Sequence, residues 1–168
     1  MNQLRVKGPH YTMEKRQSLS LLLETTWWIV TAIVVFVTQY PIHKAMYVWP
    51  YGQWNIIFVV TLLTLARYIF LLRHTFLAKR QVLKVVLLLL MFPLTFSLIN
   101  GLHSFLTFIE EKTWDPLTGH LPAGYKKSIE QYIWSEMLFF GAGSIIAAPV
   151  FAGRLMLSIW RTRNRGTV

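Results

Sequence analysis

The sequence predicts an all-α polytopic integral membrane protein, a four-transmembrane-helix bundle with both termini on the cytoplasmic side. Three observations carry that prediction: four apolar runs of spanning length, a low charged content, and basic residues gathered into alternate loops. Charged residues make up 14% of the 168-residue chain, against about 25% in an ordinary soluble domain. Trp, Tyr and Phe make up 15%, which suits a protein anchored at two water–lipid interfaces. The length accommodates a single membrane domain, 1–168.

Residues 1–17 form a basic tail. They are too polar for the apolar core of a secretory signal, and no small-residue cleavage site follows, so the first apolar run is expected to be retained. Helices are predicted over 18–39, 54–72, 82–105 and 129–160, and a second basic tail over 161–168. At about 1.5 Å per residue each run can cross a hydrocarbon core about 30 Å thick. The fourth exceeds a straight crossing, so it is expected to tilt or to project from the bilayer. All four runs are apolar on every face, unlike a soluble amphipathic helix.

Tyr40 and Pro41 are expected to end the first run, since proline lacks the N–H a helix needs. Tyr47, Trp49, Tyr51 and Trp54 then form an aromatic belt at one interface. Between the third and fourth runs, Asp115-Pro116, Thr118-Gly119 and Pro122-Ala123-Gly124 predict a long loop rich in turns. Pro93 and Pro149 fall near mid-membrane, where each frees a carbonyl that a neighbouring group must satisfy.

Loop charges set the orientation. The N-terminal tail carries Arg5, Lys7, Lys15 and Arg16, the second loop Arg73, Lys79, Arg80 and Lys84, and the C-terminal tail Arg161, Arg163 and Arg165; Glu14 is the one acid among them. In the first and third loops Lys44, Lys112, Lys126 and Lys127 balance Glu110, Glu111, Asp115 and Glu130. The positive-inside rule places the basic segments in the cytoplasm.

Four ionisable residues remain inside the spans: Glu24, Arg67, Glu136 and Arg154. A lone charge at the centre of a span costs about 2.5–3.5 kcal/mol on insertion scales, so pairing is expected. Counted from the nearest cytoplasmic charge, Glu24, Arg67 and Arg154 all lie roughly 9–12 Å deep. They form a candidate inner charge layer, with a carboxylate–guanidinium pair as its natural arrangement; snorkelling of the arginines to headgroups is the alternative. Near the other face, Asn100, His103 and Glu136 lie within about one turn in depth. They form a candidate outer polar layer, with Glu136 and His103 as a hydrogen-bonded or protonatable pair. Gly143, Ala147, Ala148 and Ala152 are spaced as small-xxx-small pairs, a candidate helix-packing face. That face would serve the bundle itself, a second copy or a partner subunit.

Several chemistries are set aside on composition and spacing. Without cysteine the chain offers no disulfide framework, thiolate metal site or palmitoylation site. Quinone-coupled disulfide oxidases, which need cysteine pairs, are excluded with them. The basic residues are dispersed as orientation signals, so no nucleic-acid partner is expected. His-Glu-x-x-His does not occur, and His74 and His103 lie too far apart in depth to share a haem. The spacing of Glu110, Glu111, Asp115, His120 and Glu130 is unspecific for a metal. No cofactor, metal or catalytic residue is expected. A membrane acid in the first of four helices is similar to the small multidrug resistance transporters at the single residue Glu24. The third loop, the long fourth run and the two intramembrane arginines depart from that pattern.

The leading expectation is a small non-enzymatic subunit, scaffold or binding module of a bacterial cytoplasmic-membrane complex. Its partners are the lipid bilayer and either a second copy or another membrane protein. A proton- or ion-coupled oligomeric transporter is the second reading, and an intramembrane lipid-modifying enzyme the third. A deep cavity reaching Glu24 or Glu136 would favour transport; an apolar face with small residues would favour a subunit.

Overall fold

The computed structural model describes residues 9–46, 48–72, 77 and 80–164, with side chains described from Leu21 onward. Tyr47, the tail residues 1–8 and 165–168, and Arg73, His74 and Lys79 of the second loop lie outside that set. Five helices follow in order: α1 Pro9–Ala45, α2 Gly52–Leu71, α3 Gln81–Lys112, α4 Asp115–Thr118 and α5 Ala123–Asn164. No strand occurs among the described residues. Four helices are long and apolar enough to cross a membrane, α1 through its segment Leu21–Ala45 together with α2, α3 and α5.

The long helix α5 is the organiser. Helices α2 and α3 both pack along it and touch each other little; α1 leans on α2 and more lightly on α5. Its 42 residues run about 63 Å, roughly twice the hydrocarbon thickness.

Three helices extend beyond their predicted ends. Tyr40 and Pro41 do not stop α1, which continues to Ala45. Proline inside a helix costs about 3 kcal/mol. Ile42 and Met46 just beyond it are buried, and each returns about 1.5–3 kcal/mol on burial, so packing outweighs the break. The predicted long third loop is also mostly helix. Helix α3 runs on from Phe105 to Lys112, α5 begins at Ala123, and α4 occupies part of the remainder. Beyond the predicted end of α3, Leu106 and Ile109 pack against the buried cluster of Leu98, Leu102, Phe105, Ile129, Ile133 and Met137, which carries that helix on. Part of the basic tail is helical too, since α1 starts at Pro9.

The core has two parts. The cluster just described sits at the end of the bundle that holds the first and third loops and includes Ile42, Met46, Trp49 and Phe58. A second cluster, toward the second loop, gathers Leu65, Leu72, Leu77, Met91, Ala147, Ala148, Phe151 and Leu155. Glycines set the helix spacing where rings or branched chains press in. A Cβ on Gly101 would stand 2.4 Å from Cε3 of Trp54, and one on Gly143 would stand 3.0 Å from Leu62. Gly101→Ala would gain helix propensity yet drive a methyl into a flat ring. It is expected to destabilise by about 1–3 kcal/mol, as overpacking does, and Trp54→Leu made with it should return part of the loss. An unchanged melting temperature for Gly101→Ala would show that α2 and α3 are not in this register.

Thr113, after α3, has φ 57° and ψ −170°, a region almost reserved for glycine that costs about 1–3 kcal/mol. Its N–H caps the helix by donating to the Ile109 carbonyl. Thr113→Gly keeps that N–H, so it should raise the melting temperature in detergent; a decrease would refute the strain.

Candidate functional site

Two buried polar layers lie along the bundle, one in each half. In the half nearer the second loop, Arg67 Nη2 lies 2.6 Å from Glu24 Oε1, joining α2 to α1. The two form an ion pair, and Glu24 Oε1 is occluded and accepts no hydrogen bond among the described residues. The guanidinium is buried and stands 5.9 Å from the Trp27 ring and 5.7 Å from the Tyr68 ring, within cation–π range. Arg154 is at a comparable depth but is exposed. The buried face of α5 there is Ala147, Ala148, Phe151 and Leu155, and Arg154 points away from it. The three-residue layer expected from depth alone is thus a pair plus an outlying arginine.

Lys84 replaces Arg154 as the second interior cation. Counted by sequence among the loop charges, it is 1% exposed and donates from Nζ to Ser158 Oγ on α5 at 3.0 Å. A signal for this was present. Lys84, Met91, Leu98 and Phe105 are spaced by seven and all are buried, the stripe by which α3 packs on its neighbours.

In the other half, Glu136 is buried as an interior acid, but its partner is not His103. Asn55 Nδ2 on α2 donates to Glu136 Oε2 on α5 at 2.5 Å. On α3 the buried positions are Leu98, Gly101, Leu102 and Phe105, which turns Asn100 and His103 outward, where both are exposed. Counting depth aligned these residues; the helical angle separates them. Asn55, fully buried, was absent from the sequence reading because it opens the second run at the aromatic belt. Its helical spacing with Phe58 and Val59, also buried, marks the same face. The remaining oxygens of the pair, Glu136 Oε1 and Asn55 Oδ1, are occluded and find no donor among the described residues. The amide of Gln39 on α1 is likewise occluded and unpartnered among them. One turn before Glu136, Tyr132 donates its hydroxyl to the Thr38 carbonyl of α1 at 3.0 Å.

The small residues of α5 face inward. Ala147 and Ala148 are buried and Ala152 packs against the same cluster, while Gly143 meets Leu62 of α2. The third loop is tied down at its base. Lys126 Nζ lies 2.5 Å from Asp115 Oδ1, Thr118 donates to Glu130, and His120 Nε2 lies 3.2 Å from the Ala45 carbonyl.

Two apolar cavities open on the flanks. One, of about 430 Å³, lies between α2 and α3 over Phe151. The other, of about 570 Å³, lies between α1 and α2 and is lined by Trp28, Val35, Gln39 and Ile56 among others. Neither lining includes Glu24 or Glu136. Comparison with known proteins finds no matching family model, no matching curated protein and no matching solved structure.

Proposed function

We propose that this chain is a non-enzymatic multi-pass subunit of a complex in a bacterial cytoplasmic membrane, with both termini in the cytoplasm. The observation that carries the reading is the disposal of interior charge. Glu24 faces Arg67, Lys84 is held by Ser158 and Glu136 accepts from Asn55. Each contact joins two helices, and neither flank cavity reaches a carboxylate. Charges spent on helix–helix contacts hold a scaffold together; a transporter would leave at least one facing a substrate path.

Helix α1 is the partner surface in this reading. Only 6% of its most apolar stretch is buried, and Leu22, Ile29, Ile33, Phe36, Val37 and Tyr40 project outward. The groove beside it is lined by Trp28, Val35, Phe36 and Ile56, an apolar surface against which another transmembrane helix could pack. Purification from the native host in mild detergent should recover a second membrane protein, or a second copy, in fixed stoichiometry. Recovery as a monomer without any partner would defeat the reading.

A proton- or ion-coupled transporter is the second reading, favoured by the two acceptors of the Asn55–Glu136 pair that lack a donor among the described residues. Orientation has its own test. With no native cysteine, single replacements Gln53→Cys and Glu111→Cys, both at exposed positions, should react with an impermeant thiol reagent in intact cells. Arg163→Cys should react only after permeabilisation. The reverse pattern would invert the topology.

A further inference from the structure

We propose that Glu136 is a proton-binding site: it is held as the neutral carboxylic acid, and its Oε1 hydroxyl donates to Asn55 Oδ1, closing a two-bond acid–amide ring between α5 and α2. Asn55 Nδ2 donates to Glu136 Oε2 at 2.5 Å. The other oxygen of each group, Glu136 Oε1 and Asn55 Oδ1, is occluded and has no donor among the described residues. Asn55 is fully buried and Glu136 is 7% exposed, so bulk water does not supply one. Two planar groups already joined by one arm each are left with two acceptors and no hydrogen. A carboxylate only accepts, whereas the acid carries one O–H donor. That single hydrogen bonds covalently to Oε1 and is donated to Oδ1, so it satisfies both atoms. Turning the amide over creates the same need. It would set Asn55 Oδ1 against Glu136 Oε2 at the distance Nδ2 now has, and two oxygens that close share a proton.

Other occupants serve the pair less well. A buried water could donate to both acceptors, but it would leave a full charge beside a core of Phe58, Leu102, Phe105, Ile133 and Met137. An unpaired buried carboxylate takes up a proton in preference to staying charged. The described cations are placed elsewhere. Arg67 faces Glu24, Lys84 is bound to Ser158 in the other half, and Lys126 pairs with Asp115. Lys44, Lys112, Lys127 and His103 are exposed. Tyr132, the titratable neighbour one turn away, spends its hydroxyl on the Thr38 carbonyl. A metal ion needs a fuller shell, since a hard cation such as calcium takes about 6–8 oxygens. Even with Gln39 Oε1, also occluded and unpartnered among the described residues, the side chains here would fill at most half of it. A proton needs one oxygen to sit on and one to face.

This deepens the subunit reading, on which it rests for treating Glu136 as a fixed fastener: the proton is kept as part of the α2–α5 contact and is not passed on. Infrared spectroscopy of the full chain in lipid vesicles reads the proton directly, because the C=O stretch of a carboxylic acid is separate from the amide and carboxylate bands. At neutral pH the native protein should show one such band. Glutamate labelled with carbon-13 at the side-chain carboxyl should move it to lower frequency, and labelled aspartate should not. Glu136→Gln, which can keep both hydrogen bonds, should lose the band entirely. Asn55→Leu should move it to higher frequency, since the acid C=O loses its donor; should that variant not fold, the labelled native protein and Glu136→Gln still decide. Absence of an acid band from the native protein, or its survival in Glu136→Gln, would overturn the proposal. So would a carboxylate band that disappears in Glu136→Gln and shifts when sodium replaces potassium, the mark of a bound cation. An acid band in a protein that purifies without a partner would leave the ring standing and defeat the subunit reading alone.

Discussion

Replacing Glu24 with Gln is expected to destabilise the detergent-solubilised protein by about 3 kcal/mol, the lower end of the range for breaking a buried ion pair. The loss falls on Arg67, which stays charged at any working pH and is 6% exposed. Without the carboxylate's charge, among the described residues it keeps the Trp27 and Tyr68 rings, worth about 2 kcal/mol. The lower end applies because the substituted amide keeps a neutral oxygen to which the guanidinium can still donate. The double variant with Arg67→Gln should be more stable than the sum of the single losses implies. Melting temperatures of the four proteins form a double-mutant cycle; a coupling of zero would show that α1 is not held to α2 by this pair.

Much of the fold was legible, and what was missed shares one physical cause. Apolar runs of about twenty residues or more fix helix number with little ambiguity, because within one segment no other local structure satisfies a backbone in hydrocarbon. Helix ends were misplaced at Pro41 and after Phe105, where burial of Ile42 and Met46 and packing of Leu106 and Ile109 on the core override local breaking signals. Depth along a helix follows from counting at a fixed rise per residue, and it brought Glu24 and Arg67 to one level. Direction around the helix needs the identity of the neighbouring helix. Arg154, Asn100 and His103 had suitable depth and the wrong side. Lys84 was counted among the loop charges and Asn55 was passed over, because polarity near a span end reads as exposure. In each case the decisive fact is that α5 lies between α2 and α3, an arrangement that periodicity within one helix does not encode.

Asn55→Leu should be the most damaging single change in the half of the bundle that holds Glu136. Asn55 Nδ2 is the one donor to that carboxyl among the described residues, and Glu136 is 7% exposed. Removing it strands a buried carboxyl, and an unsatisfied buried group costs about 1–3 kcal/mol, more when charged. A loss of about 3 kcal/mol is expected. Glu136→Gln should behave in the opposite way. The substituted amide keeps an oxygen to accept from Asn55 Nδ2 and adds an N–H for Asn55 Oδ1, which has no donor among the described residues. Stability should therefore stay within about 1 kcal/mol of the native protein or rise, since a fully satisfied buried pair is better than a partly satisfied one. Combining Asn55→Leu with Glu136→Met removes both polar groups and should recover most of the loss, because matched apolar replacement of a buried polar pair is often near neutral. These three variants also separate the two functional readings. If Glu136 only fastens α5 to α2, then Glu136→Gln and the double apolar variant should both retain partner recovery. If Glu136 carries a proton during transport, Glu136→Gln should abolish proton-coupled flux in vesicles although the protein is as stable as before. Undiminished partner recovery with no substrate-driven proton movement in the native protein supports the subunit. Loss of a measurable flux in a fully stable Glu136→Gln protein would overturn it, because a merely structural carboxyl has nothing to lose when its hydrogen bonds are kept.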